Sequence, residues 1–558
     1  MIRNKMRIWI GILLLGSSLF SIAQVRHQAF LIEFTDKVNN SNHALSQKAI
    51  DRRAKFNIAL DNFDLPVNVE YIKAICRDST IRLRYPLKWR NAIVIDADSL
   101  DMDAISKLPF VSEITYVGLT SPFSSYEQPL IHDLYSTVKN SEIQTSNLNR
   151  SQYGNSYDQL YQVGITRMHS EGFDGSGVSI AVFDAGFQNA HVLSSFARAR
   201  SNHQLYSAYD LVDLDNELTD VDNHGIAVSS CFLSYSPSQY IGSSPNVTTY
   251  LFRTENSFAE DPLEELNWCR AAELADSIGV DMVSSSLGYT QFDNASLNYT
   301  HSDMDGKTSH IAKAASMLVE KGVLVVNSAG NEGDDPWRKI GSPGDVAKVL
   351  TIGAVNSNNE ISNFSSRGNN ANGITKPDVC ALGVKTFVSS TYGSFYRGFG
   401  TSYATPIVSG GVALLLQAHP DKPPQEITDA LRLTAQRNNF PDSIYGYGTV
   451  NIYAAHLLLL NKGKDMAFLA DSTSMLLVYN DGFTELNYKL YERKSFLLVF
   501  NRLKKVHTGV VETKTPLTYL NLGDFKADCN EKYTLKIKLR SAVDNYKLKH
   551  NDLSLCTP

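Results

Sequence analysis

The chain has 558 residues, room for roughly three or four domains, and its 43% hydrophobic and 20% charged content is that of ordinary globular protein. With 52 basic and 58 acidic side chains the net charge is −6, which disfavours a binder that works by neutralising phosphates. The six cysteines, Cys76, Cys231, Cys269, Cys380, Cys529 and Cys556, contain no CxxC pair and no metal-ligand spacing, which argues against zinc chemistry.

Residues 1–23 read as a signal peptide. Arg3, Lys5 and Arg7 precede the apolar run Ile8 to Phe20, and Ser21-Ile22-Ala23 offers small residues for cleavage before Gln24. The run is shorter than the ~20 apolar residues a bilayer span needs. Export permits disulfides, and Cys529 with Cys556 is the pair that could close a loop within one late segment; two free or differently paired thiols stand as the alternative.

Residues 24–150 divide into an α+β unit, about 25–118, and a linker. Phe30 to Phe34, Asn91 to Ile95 and Ser112 to Tyr116 are expected strands; Ala44 to Phe56, with charges on one face, and Leu100 to Leu108, stopped by Pro109, are expected helices. Ser121 to Asn155 loses periodicity and fills with Ser, Asn, Gln and Tyr, as an exposed linker does.

Over residues 151–462 apolar runs alternate with helical stretches, the pattern of a parallel sheet with helices on both faces, an α/β fold. Val178 to Phe183, Thr248 to Phe252, Met282 to Val283, Val323 to Val326 and Val349 to Ile352 are the expected strands, with helices over Pro262 to Ile278 and Ser309 to Glu320. Ligands of such sheets sit beyond the carboxyl ends of the strands. Residues 463–558 switch to β patterning, with strands expected at Leu476 to Tyr479, Leu486 to Tyr491, Phe496 to Phe500 and Tyr533 to Leu539; residues 461–558 hold 16 basic and 11 acidic side chains.

Three motifs in the α/β region carry chemistry jointly. Asp184 ends an apolar strand run and precedes Ala185-Gly186; His224 precedes Gly225 and a small apolar run; Ser402, in Gly400-Thr401-Ser402-Tyr403-Ala404-Thr405-Pro406, opens a buried helical run with Pro406 expected in its first turn. Singly these read as a loop cap, a filler histidine and an N-cap. Together they supply a nucleophile, a base to remove its proton, and a carboxylate to fix the base's tautomer. A helix start also offers free N–H groups to an oxyanion. Ala404 breaks a G-x-S-x-G elbow, which argues against an α/β-hydrolase.

These motifs resemble the three active-site segments of subtilisin-like serine proteases, the subtilase family (S8). Ser286-Leu287-Gly288 resembles the family's substrate-binding strand, and Ser328-Ala329-Gly330-Asn331-Glu332-Gly333 its oxyanion-asparagine segment. Phe364 to Gly368, Lys376-Pro377-Asp378 and Gly446 to Asn451 also fit in order. The resemblance covers about residues 153–457. It implies a secreted serine endopeptidase, with Asp184, His224, Ser402 and Asn331 catalytic and Ser286, Leu287 and Gly288 pairing with substrate, and with no cofactor required. Residues 25–118 have the position and pattern of the family's inhibitory propeptide. Ile226, Ala227, Ser284 and Tyr403 depart from common family residues, which bears on specificity and rate.

Many subtilases bind Ca2+. Asp210, Asp213, Asp215, Asp220 and Asp222 make an oxygen-rich stretch, although a solvated acidic loop is favoured because the spacing matches no EF-hand. Through Leu477-Val478-Tyr479-Asn480 and Lys536-Ile537-Lys538 the last unit loosely resembles C-terminal sorting domains of Bacteroidetes secreted proteins, implying outer-membrane secretion machinery as a partner and release or attachment at the cell surface. A carbohydrate- or protein-binding module is the alternative for that unit, and a non-enzymatic binding protein on a subtilase scaffold is the alternative for the whole chain.

Overall fold

The computed structural model describes residues 27–37, 45–120, 145–215, 218 and 222–460, together with backbone strands between 467 and 554. The signal-peptide residues, Asp220, and Cys529 and Cys556 lie outside the described residues. Cys76, Cys231, Cys269 and Cys380 are free thiols.

In the N-terminal unit β1 (His27–Phe34), α1 (Gln47–Lys55), α2 (Val69–Ile75), β2 (Arg82–Leu87), β3 (Ala92–Ala97) and β4 (Val111–Thr120) form an antiparallel sheet, ordered β2-β3-β1-β4, with helices. Side-chain alternation divides its apolar residues between two cores. Phe30, Ile32 and Phe34 pack with Ile75 of α2 and with Ile93 and Ile95, whereas Ala29, Leu31 and Val94 face the next domain. A sheet covered on both faces explains why every residue of β3 is buried, Asp96 included. The expected helix Leu100 to Leu108 is a 3₁₀ turn, Ser99–Asp101, and one short turn, Met102–Ile105.

The next domain is built on a seven-stranded parallel sheet. Its strands are β5 (Ser179–Asp184), β6 (Leu205–Asp210), β7 (Thr248–Arg253), β8 (Met282–Ser285), β9 (Leu324–Ser328), β10 (Leu350–Val355) and β11 (Val379–Leu382), ordered β11-β10-β9-β8-β5-β7-β6. The helices that matter for the site are α3 (His224–Leu233), α4 (Pro262–Ile278), α5 (His310–Glu320) and α6 (Thr401–Ala418). Ser309 is the N-cap of α5, its hydroxyl accepting from Ala312 N. The end of the expected linker is folded: Asn149 forms a capping box for Arg150–Tyr153, and Tyr153 is buried with its hydroxyl 2.8 Å from His169 Nδ1.

The N-terminal sheet lies on α4 and α5, with Leu31, Tyr85, Trp89 and Val94 packed against Trp268, Ala272 and Leu318 in one apolar cluster. A buried polar seam runs beside it. Arg52 of α1 donates to Asp276 Oδ1 (2.5 Å), Val280 O (2.7 Å) and Lys321 O (3.2 Å), so one guanidinium serves carbonyls at the ends of both α4 and α5. Arg53 bridges Asp64 (2.6 Å) and Asp276 (2.7 Å), and Glu273 accepts from the backbone N–H groups of Lys88 and Trp89. Gly279, in the left-handed region at φ +89°, closes α4 where a Cβ would stand 2.7 Å from Ala49 N of α1.

After residue 460 the described backbone is antiparallel strand. Glu485–Phe496 pairs with Phe500–Glu512 and Lys532–Arg540, and Met475–Tyr479 lies between Ala467–Leu469 and Leu517–Asn521. Of the expected strand Phe496 to Phe500 the described residues are its two ends, and Phe496 pairs with Phe500 as the ends of two antiparallel strands.

Candidate active site

Asp184 is the last residue of β5, so its carboxylate stands at the carboxyl edge of the sheet and is fully buried. Its Oδ1 accepts from Ala185 N (2.8 Å) and lies 2.8 Å from His224 Nδ1, while Oδ2 is buried without a partner. That contact fixes the proton on Nδ1 and leaves Nε2 as the basic nitrogen. His224 begins α3, and its backbone N–H donates to Asp222 Oδ1 (2.8 Å), where Asp222 adopts φ +45°. Desolvation alone would lower the imidazole pKa; the Asp184 charge and hydrogen bond outweigh it, assisted by Asp222 and Glu255, and the net shift is upward from 6.5.

Ser402 is the second residue of α6, where no carbonyl earlier in the helix can reach its N–H. Pro406 sits one turn inside α6 rather than in its first turn. A proline there removes the N–H that would bond the carbonyl four residues back, that of Ser402. The Ser286 hydroxyl takes its place, donating to Ser402 O at 3.0 Å, and the Ser402 hydroxyl donates to Ser286 O at 3.5 Å. The segment after β8 is thereby tied to the helix start at Ser402. The His224 ring lies beside the next residue, Tyr403, with centroids 6.1 Å apart.

Asn331 follows β9 through Ala329 and Gly330, the latter at φ +101°. Its Oδ1 accepts from Thr401 N (2.9 Å) and Thr401 Oγ1 (3.1 Å). Because the amide oxygen is held this way, the amide NH2 is left to face outward from an exposed side chain at the N-terminus of α6. Of Ser286, Leu287 and Gly288, the first is buried, the second half-buried and the third exposed. Leu287 O accepts from Asn327 Nδ2 (2.9 Å), and Tyr289 pairs antiparallel with Ser342.

The structure therefore brings Asp184, His224, Ser402, Asn331 and Ser286 to one edge of the sheet. Sequence reasoning missed Thr401 as the group that orients Asn331. It also missed Glu255, a buried carboxyl at the end of β7 that accepts from Tyr289 Oη and Thr254 Oγ1; burial pushes its pKa up to about 8. In the acidic stretch, Asp210 and Asp213 pair with Arg253, and Asp222 also accepts from Ser257 Oγ (2.5 Å). Those oxygens serve cations and donors of the chain itself, and among the described residues no three His, Cys, Asp or Glu side chains converge as a metal site.

A carboxylate, an imidazole and a helix-start serine at the carboxyl edge of a parallel sheet are the groups that hydrolases of the serine-nucleophile class use. The profile of the subtilase family matches residues 175–448, and that of the Bacteroidota peptidase S8 propeptide domain matches residues 29–129. Residues 175–448 are a subtilase (S8) domain and residues 29–129 an S8 propeptide domain. The chain is 31% identical over 307 residues to serine protease AprX of Bacillus subtilis, covering 50% of this chain and 65% of that protein. It is 29% identical over 305 residues to subtilisin E of the same species, covering 53% and 70%. The crystal structure of the epidermin leader peptide processing serine protease of Staphylococcus aureus shares the fold, with a TM-score of 0.53 at 17% identity, over 78% of this chain and 100% of that one.

Proposed function

We propose that the chain is an exported serine endopeptidase, made as a zymogen, that hydrolyses peptide bonds through an acyl-enzyme. The carrying observation is the 2.8 Å contact of Asp184 with His224 next to the α6 start that bears Ser402. In this reading the Ser402 hydroxyl leaves the Ser286 carbonyl, turns to His224 Nε2 and attacks the scissile carbonyl. Catalytic hydrogen bonds are often long until substrate binds. His224 takes the proton and returns it to the leaving amine, Asp184 holds the imidazole, and Asn331 with Ser402 N–H receives the oxyanion. Ser286, Leu287 and Gly288 pair with extended substrate as an added strand. Catalysis by subtilases needs no cofactor, and Ca2+ remains a structural role to assay. Incubation with a peptide library, read by mass spectrometry, tests the reading; cleavage that survives Ser402→Ala overturns it.

The residues 1–23 reading supplies export, and the C-terminal strands are proposed to engage outer-membrane secretion machinery. Cleavage of the propeptide is proposed within residues 121–144, since residues 145–153 already fold against the peptidase domain. The propeptide is held by the buried Arg52, Arg53 and Asp276 seam. In the uncleaved Ser402→Ala chain, adding Asp276→Ala removes the carboxylate that two buried guanidinium groups share and should lower the unfolding free energy by ~3–5 kcal/mol. Denaturant titration measures it; a shift below about 1 kcal/mol would mean the seam is solvated.

The upward shift at His224 fixes the sign of the pH dependence. Only neutral imidazole can accept the serine proton, so kcat/KM is full above the His224 pKa and falls as pH drops through it. Since that pKa is raised, the acid limb should have its midpoint above 6.5. A midpoint below 6.5 in a pH–rate profile contradicts the Asp184 pairing.

A further inference from the structure

The last described strand of the N-terminal unit ends in a cavity of about 610 Å³, lined on one side by Tyr116, Leu119 and Thr120 and on the other by Phe258, Glu264 and Asp293. Glu264, in the first turn of α4, is 3% exposed. Its Oε1 accepts from Asn256 N at 2.5 Å, and its Oε2 is buried with no hydrogen-bond partner. Glu264 lines the cavity, and a buried carboxyl with one oxygen unmet is costly to keep unless a partner meets it.

The cavity's own cations are committed elsewhere. Arg253 pairs with Asp210 and Asp213, and Arg84 pairs with Asp96 and donates to the carbonyls of Leu211 and Val212. Arg84, Tyr116, Leu119 and Thr120 belong to the propeptide and depart with it, which opens the wall of Asn256, Phe258, Glu264 and Asp293 to substrate. What remains is acidic, with Asp261, Glu264 and Asp293 on the lining, and burial pushes Glu264 up to about 10, with Glu255 and Glu260 adding to the shift.

The position follows from the strands. Thr254 N donates to Asp184 O at 3.0 Å, and two residues later Asn256 holds Glu264. On the facing wall, the chain leaving Ser286-Leu287-Gly288 reaches Asp293, which exchanges hydrogen bonds with Glu260. The cavity thus lies between the segment that passes Asp184 and the chain that leaves Ser286-Leu287-Gly288. The propeptide strand enters it on the way to its own cut, so its occupant precedes the scissile bond.

We propose that in the mature enzyme this cavity takes a lysine or arginine side chain of a protein substrate, N-terminal to the scissile bond, with Glu264 as its counter-ion. The inference rests on the serine-peptidase reading. It is tested with mature enzyme and peptide pairs that carry lysine or norleucine at each of the four positions before the cleaved bond. One position should favour lysine by at least about tenfold in kcat/KM, and Glu264→Gln should reduce that ratio to within about twofold of unity. The wild-type ratio needs no variant to fold, and fluorophosphonate labelling counts the active sites of both proteins. A labelled wild type with no lysine preference at any position, or a preference that persists in Glu264→Gln, overturns the assignment while leaving the peptidase intact. Neither labelling nor cleavage overturns both.

Discussion

Ser402→Ala is expected to abolish labelling by a fluorophosphonate probe and to lower turnover by about 10⁶-fold, the loss known for the nucleophile of subtilisin, a relative, rather than a figure derived from this molecule. The helix start around Ser402 is over-determined. Thr401 bonds Asn331, the Ser402 carbonyl takes Ser286 Oγ, and Ala404 is buried. Removing one hydroxyl, whose single bond is 3.5 Å long, should leave the fold unchanged. The same variant reports on maturation. If the enzyme cuts its own chain within residues 121–144, wild type should lose the N-terminal unit on expression and Ser402→Ala should keep it. Labelling that persists in Ser402→Ala removes that residue from the nucleophile's role. Identical trimming of both proteins in a protease-deficient host would assign the cut to another enzyme.

What could be read from sequence depended on whether a side chain's environment is implied by its neighbours. Asp184 after an apolar strand run and the apolar turns following Ser402 place themselves, because a buried strand and a buried helix leave few positions for a polar residue. Pro262 to Ile278 matched α4 at both ends, since Pro at the first position and Gly279 after the last are local signals. β2 was missed because Arg82-Leu83-Arg84 and Pro86 read as loop. It is an edge strand, where proline is tolerated, and Arg84 is buried only because Asp96 and two backbone carbonyls from the other domain meet it. The charged face of α1 likewise reads as solvated, yet Arg52 and Arg53 are 7% and 1% exposed, because helix ends some 220 residues away supply their partners. Such partners are created by tertiary contact and leave no trace in local pattern.

Pro406 carries the same lesson inside the site. Its position within the first two turns could be judged only from where α6 begins, and that depends on Gly400, whose φ of +152° ends the preceding extended segment. Moved one turn inward, the proline changes from a harmless starter to the cause of an unbonded carbonyl at the nucleophile itself. The hydroxyl of Ser286 answers that carbonyl, which couples the wall expected to pair with substrate to the residue expected to attack it.

Asn331→Ala should fold, bind peptides with a KM within about threefold of wild type, and lose ~10²–10³ in kcat, a magnitude borrowed from the oxyanion-hole asparagine of subtilisin. The ground-state carbonyl carries less charge than the tetrahedral intermediate, so a donor aimed at the oxyanion is felt in turnover and barely in affinity. The structure adds a way to separate donation from positioning, since Asn331 Oδ1 also accepts from Thr401 N and Oγ1. Alanine removes both functions; Asn331→Asp keeps an acceptor for Thr401 and replaces the NH2 with an oxygen that repels the developing charge. If donation is what matters, Asn331→Asp should lose at least as much kcat as Asn331→Ala while melting at or near the wild-type temperature. If it instead restores turnover, Asn331 acts only by holding the start of α6, and the oxyanion must be met by Ser402 N–H and some other donor.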